Sequence, residues 1–142
     1  MRLVNGLGGA FVFSNDAARL AGWYAEHLGF RFEGSAAFGA FYHTFWTLDP
    51  DAPERRLDTT FSIMQAKVSL PVRAPAEAPA SMYGDQAFMV NLRTDDLDAL
   101  VAHLEQKGVR VLKREDEPYG RFAWIRDADG NRVELYQPLP QE

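Results

Sequence analysis

YGRFAWIRDADGNRVELYQP, residues Tyr119 to Pro138, decides how the rest of the chain is read. Arg121 to Arg126 alternates in the manner of a strand, Asp127 to Asn131 supplies turn residues, and Arg132 to Gln137 alternates again. The stretch therefore predicts a β-hairpin. In its second strand a period of two puts Arg132, Glu134 and Tyr136 on one face and Val133 and Leu135 on the other. The apolar pair faces a core, so Glu134 faces either solvent or a cavity and is the candidate functional carboxylate.

Working outward, Phe88 to Arg93 reads as a strand, Thr94-Asp95-Asp96 as a helix cap, and Leu97, Leu100, Val101 and Leu104 as one helix face closed by Gly108. Val109 to Leu112 predicts a strand and Lys113 to Pro118 a charged turn before the hairpin. The same order stands earlier in the chain. Gly8 to Phe13 is strand-like, Ser14-Asn15-Asp16 caps a helix marked by Leu20, Trp23, Tyr24 and Leu28, and Gly29 ends it. Phe30 to Glu33, Phe41 to Leu48 and Thr59 to Met64 then read as strands. Between the halves Pro71, Pro75 and Pro79 sit among alanines, a composition that suits an extended connector. The organisation expected is a first βαβββ module over residues 1–66, a linker over 67–85 and a second module over 86–142, within one compact domain. Matching positions support a duplication: Asp16 with Asp96, Leu20 with Leu100, Gly29 with Gly108, Trp46 with Trp124, and TTFSIMQ with NRVELYQ.

A chain of 142 residues is long enough to bury a good core. It has no cysteine, which excludes disulfides and thiolate metal sites. A net charge of -5 with no basic stripe argues against nucleic acid. No run approaches a membrane span and the first residues lack the features of a signal peptide, so no membrane partner and a cytoplasmic location are expected.

Phe122-Ala123-Trp124-Ile125-Arg126-Asp127-Ala128-Asp129-Gly130-Asn131-Arg132-Val133-Glu134-Leu135, together with the LGF at Leu28 to Phe30 and the twofold βαβββ order, resembles the vicinal oxygen chelate superfamily. That superfamily contains glyoxalase I, extradiol dioxygenases and bleomycin-binding proteins. The resemblance implies an α+β fold in which two βαβββ repeats form paired half-open sheets around a cavity, and a homodimer. In metal-using members, ligands come from the first and last strands of both halves; those places fall here on Gly9, Ser62, Met89 and Glu134. Only Glu134 suits a divalent ion, since such sites draw on about three imidazole or carboxylate ligands. No metal and no other cofactor is expected. His27 and His103 lie in the helices, outside the cavity implied, and His43 lies alone on a strand.

By the same strand parity Phe11 and Phe13 go with Gly9, Thr60 and Met64 with Ser62, Asn91 and Arg93 with Met89, and Arg132 and Tyr136 with Glu134. Their neighbours Ala10, Val12, Phe61, Ile63, Val90, Leu92, Val133 and Leu135 form the expected core. Trp46, Phe122 and Trp124 are read as facing inward. The candidate ligand-binding set is thus Phe11, Phe13, Trp46, Ser62, Met64, Met89, Asn91, Arg93, Phe122, Trp124, Glu134 and Tyr136. Aromatic walls with a few polar groups suit a small planar or partly apolar ligand. The expected function is binding of such a molecule without a metal. The alternatives are a metal-dependent lyase, thiol transferase or dioxygenase of the same superfamily, and a dimeric module with no small ligand; whether any reaction is catalysed stays open.

Overall fold

A computed structural model describes residues 3–72, 79 and 81–141. Within the linker, residues 73–78 and 80 lie outside the described residues. The chain divides into two compact units, Met1–Ala25 with Gly29–Leu70, and Pro71–Glu142 with Glu26–Leu28.

The first unit runs β1 (Gly9–Ser14), α1 (Ala17–Leu28), β2 (Glu33–Ser35), β3 (Ala40–Asp49) and β4 (Ala52–Gln65). Its sheet has the order β1-β4-β3-β2, with β1 parallel to β4 and the other pairs antiparallel. The second unit runs β5 (Val90–Arg93), α2 (Leu97–Gln106), β6 (Lys113–Glu117), β7 (Gly120–Arg126) and β8 (Arg132–Pro138). Its sheet repeats the pattern as β5-β8-β7-β6. Both units are βαβββ.

Local chemistry explains the elements. The carboxylate of Asp16 accepts from the Arg19 amide and that of Asp96 from the Ala99 amide, each at 3.0 Å, satisfying first-turn donors that have no partner inside the helix. A second clip appears once in each unit. The side-chain oxygen of Gln65 accepts from the Ala17 amide at 3.1 Å, and that of Gln137 from the Leu97 amide at 2.8 Å. The glutamines that close the two matched strand sequences therefore do the same job, tying the start of the helix to the last strand. Gly29 ends α1 at φ +74, the left-handed region that glycine enters without steric cost.

Core and open faces follow the period of two. In the first unit Phe61 and Ile63 of β4 are buried with Leu20, Ala21 and Tyr24 of α1. In the second, Ala123 and Ile125 of β7 and Val133 and Leu135 of β8 are buried, as are Leu97, Val101 and Leu104 of α2, which packs on β7 and β8. Ala10, Val12, Val90 and Leu92 are half-buried.

Several boundaries differ from the sequence reading: β5 starts at Val90 rather than Phe88, and three more differ as follows. Phe30 to Phe32 is not strand; Phe30 is buried among aromatic rings and both backbone groups of Arg31 lie against His43 Nδ1, so pairing begins only at Glu33. The β4 strand starts seven residues before Thr59, because the Pro50-Asp51 break is a hairpin tip and Pro53 falls in a bulge where no ladder amide is needed. Val109 to Leu112 is a lead-in, with half-buried Val109, Val111 and Leu112, and the strand is the charged KREDE segment read as a turn. Lys113, Arg114, Glu115 and Asp116 are exposed on a sheet edge, where charge discourages pairing with another chain.

Candidate functional site

In the second unit β8 lies between β5 and β7, so the face opposite α2 gathers side chains from three strands. Asn91 and Arg93 stand opposite Glu134 and Tyr136 on one side; Trp124 and Phe122 stand opposite the same two residues on the other. All six belong to the set expected from parity, and Met89 immediately precedes β5.

Glu134 is the centre of this group. It is 7% exposed, and each carboxylate oxygen accepts one neutral donor: Tyr83 Oη on Oε1 at 2.5 Å and Asn91 Nδ2 on Oε2 at 2.5 Å. Among the described residues, no lysine, arginine or histidine ion-pairs with it. The hydrogen bond to Glu134, helped by burial and by the carboxylate's charge, pushes the Tyr83 phenol up to about 12. Tyr83 therefore stays a proton donor at neutral pH.

The rings form a continuous strip. Phe122 stacks on Tyr136 at 5.0 Å and on Trp124 at 6.2 Å, both at 17° between planes. Tyr83 meets Trp124 edge to face at 6.0 Å and Tyr119 meets Phe122 at 5.8 Å. Trp124 is 1% exposed, and its indole Nε1 is a buried donor with no acceptor among the described residues.

Arg132 was grouped with Glu134 by parity, but its guanidinium holds the chain. It is 2% exposed; Nε donates to the Met82 carbonyl at 2.8 Å, Nη1 to Asp85 Oδ2 at 3.0 Å, and Nη2 to Asp85 Oδ1. The Arg132 bonds hold the Asp85 carboxyl below its ordinary value. The Gln86 amide pairs with both backbone groups of Arg132, at 3.0 and 3.1 Å. Residues Met82 to Gln86 thus form a strap fastened to the start of β8, and Tyr83 projects from it onto Glu134. The sequence reading missed this strap. Its signal was the change from proline and alanine to Ser-Met-Tyr-Gly-Asp-Gln at 81–86, residue types that hydrogen-bond and turn rather than merely extend.

The remaining candidates lie in the first unit. Phe11 and Phe13 are exposed and stacked at 6.5 Å, opposite Ser62 and Met64 of β4. The expected match of Trp46 with Trp124 does not hold: Tyr42 pairs with Ser62 as Trp124 pairs with Glu134, while Trp46 pairs with Asp58, is 55% exposed and lies under the Arg56 guanidinium at 5.1 Å.

The donor set does not fit a divalent ion. Among the described residues, no three His, Cys, Asp or Glu gather. Each oxygen of Glu134 already accepts a neutral donor, and Met89 offers only a soft thioether. At Gly9 any side chain is excluded, because a Cβ there would overlap the Thr60 carbonyl oxygen of the neighbouring strand.

Two βαβββ units, each with a helix on one side of a four-stranded sheet, define an α+β protein of the repeated-module class. The chain belongs to the Glyoxalase/Bleomycin resistance protein/Dioxygenase superfamily, whose family model matches residues 6–135. It is 29% identical over 128 residues to "Uncharacterized protein YaeR" of Escherichia coli (strain K12), covering 89% of this chain and 91% of that protein. Among solved structures it is similar to TnmS3, an antibiotic binding protein from Streptomyces sp. CB03234, with a TM-score of 0.65, 24% identity, and 98% and 100% of the two chains covered. It is also similar to lactoylglutathione lyase from Agrobacterium tumefaciens, with a TM-score of 0.64, 16% identity, and 96% of each chain covered. No helix among the described residues is long and apolar enough to cross a membrane.

Proposed function

We propose that the chain binds a small planar or partly apolar molecule against the ring-lined face of the second sheet, without a metal, and that Asn91 and Glu134 orient it. The observation that carries this reading is the pairing of two features: the half-buried, stacked rings of Tyr136 and Phe122 offer flat apolar surface, and the buried N–H of Trp124 beside them lacks an acceptor among the described residues. An unmatched buried donor is a cost of folding that a ligand acceptor would offset. Covering roughly 100 Å² of apolar surface contributes about 2–3 kcal/mol, and the polar groups then set orientation. The description of TnmS3 as an antibiotic binding protein supports the reading at the level of fold. Phe11, Phe13, Trp46, Ser62 and Met64 offer a second apolar face of the same parity in the first unit.

The working state in this reading is a cytoplasmic homodimer that engages neither membrane nor nucleic acid. A sedimentation run should give the mass of two chains. For the binding itself, tryptophan fluorescence is followed against a panel of planar aromatic compounds. At least one should quench wild type and lose ten-fold or more in affinity in Trp124→Phe, which keeps a ring and removes the N–H. A panel in which nothing changes the emission refutes the proposal.

A further inference from the structure

The charge arrangement around Glu134 narrows the ligand class, and this step rests on the binding reading just proposed. A buried carboxylate normally keeps a cation, because removing an ion from water costs several kcal/mol. Among the described residues, the hydrogen-bond partners of Glu134 are a phenol and an amide. The nearest arginine along its strand, Arg132, is engaged by Asp85 and Met82. On the edge strand Lys113 lies 3.9 Å from Glu115, whose negative charge also acts on Tyr83. Arg93, two residues beyond Asn91 on β5, is exposed to water. Among the described residues the negative charge of Glu134, opposite Trp124 and bonded to Tyr83, therefore has no ion-pair partner.

Both donors that touch it come from exposed residues: Tyr83 is 58% exposed, and Asn91 lies on an edge strand. Aromatic faces attract cations through their quadrupole, so the rings and the carboxylate select the same partner. A planar group with paired N–H donors and a positive charge matches the two oxygens as a fork. Tyr83 stands where one of those donors would go.

We propose that the Glu134 face of the second sheet is a site for planar organic cations, aromatic amidinium or protonated heteroaromatic groups, whose N–H displaces the Tyr83 phenol from Oε1. The Tyr83 side chain then swings away while Arg132 keeps the strap fastened on both sides of it, through Met82 and Asp85. The phenol acts as a placeholder that keeps the carboxylate satisfied while the site is empty of ligand.

The test uses three probes of one shape: 2-naphthamidine, 2-naphthamide and 2-naphthoate, titrated calorimetrically into the full chain. Wild type should bind the amidine at least ten-fold more tightly than the amide, with the carboxylate probe weakest. Glu134→Gln, which keeps the side-chain shape, should bring amidine and amide to equal affinity. Tyr83→Phe removes the competing donor and should tighten the amidine several-fold, and more than it tightens the amide; circular dichroism confirms that both variants are folded. Equal binding of amidine and amide by wild type, or a preference that survives Glu134→Gln, overturns the cation assignment and leaves the wider binding reading standing. If none of the three binds, both fall.

Discussion

Trp46 and Trp124 both stand in the strand before the last of their repeat, Trp46 opposite Asp58 and Trp124 opposite Glu134, and their surroundings demand different responses to truncation. Trp124 is 1% exposed, enclosed by Phe122 and Tyr83, and Trp124→Ala removes a whole indole from a filled space. Truncations of this kind cost about 3–5 kcal/mol, the transfer of the lost atoms plus the cavity left behind. Trp46 is 55% exposed and the Arg56 guanidinium lies over its ring at 5.1 Å. Less than half of an indole of roughly 200 Å² is then covered, and solvent fills the space vacated, so Trp46→Ala costs about 1–2 kcal/mol. The difference is about 2 kcal/mol or more. With a urea slope near 1.5 kcal/mol per molar, it separates the midpoints of the two variants by roughly 1 M. Far-UV circular dichroism is the right probe, since it does not depend on the residue removed. Trp124→Phe should recover most of the loss, because it keeps a ring and deletes the unmatched N–H. Equal midpoints for the two alanine variants would refute the account of the second sheet's ring-lined face.

Other expectations concern single positions. Gly9→Ala places a Cβ on the Thr60 carbonyl and should cost at least about 2 kcal/mol, while Gly8→Ala, which meets nothing within 4 Å, should be near neutral; urea midpoints compare them. The Tyr83 phenol is raised from about 10 to about 12. Its contribution is fully present below pH 10, because the folded state keeps a proton that the unfolded chain releases, and it is lost as pH rises through 12. Tyr83→Phe should flatten the fall in urea midpoint above pH 10, and an unchanged slope contradicts the Glu134 bond. Asp98 accepts from Arg121 and Arg114, which lower it from 3.8 to about 2. Its contribution is present above pH 4 and lost as pH falls through 2, so Asp98→Asn should make the acid limb of the stability profile shallower.

Alternation and caps made most of the fold legible. The hairpin from Arg121 to Gln137, the capping aspartates and the repeat order all depend on neighbours in sequence, and these local preferences agree with the final packing. Residues Lys113 to Glu117 escaped because strand formation there rests on pairing with β7, while their composition carries no apolar signal. The face of Glu134 was also legible, since parity fixes which side chains share it. Its hydrogen-bond partner was not. Tyr83 lies 51 residues away on a segment whose alanines and prolines masked it, and only the folded chain brings phenol and carboxylate together. Arg132 was grouped with Glu134 by parity and given no task, because the sequence does not reveal that Asp85 returns to meet it.

The close approach of β1 and β4 at Gly9 also bears on what this scaffold can become. Mutation at that codon cannot install an imidazole, because the volume it needs is occupied by another strand's backbone. Descent toward a metalloenzyme, in nature or by directed evolution, would have to respace two strands before the choice of residue mattered.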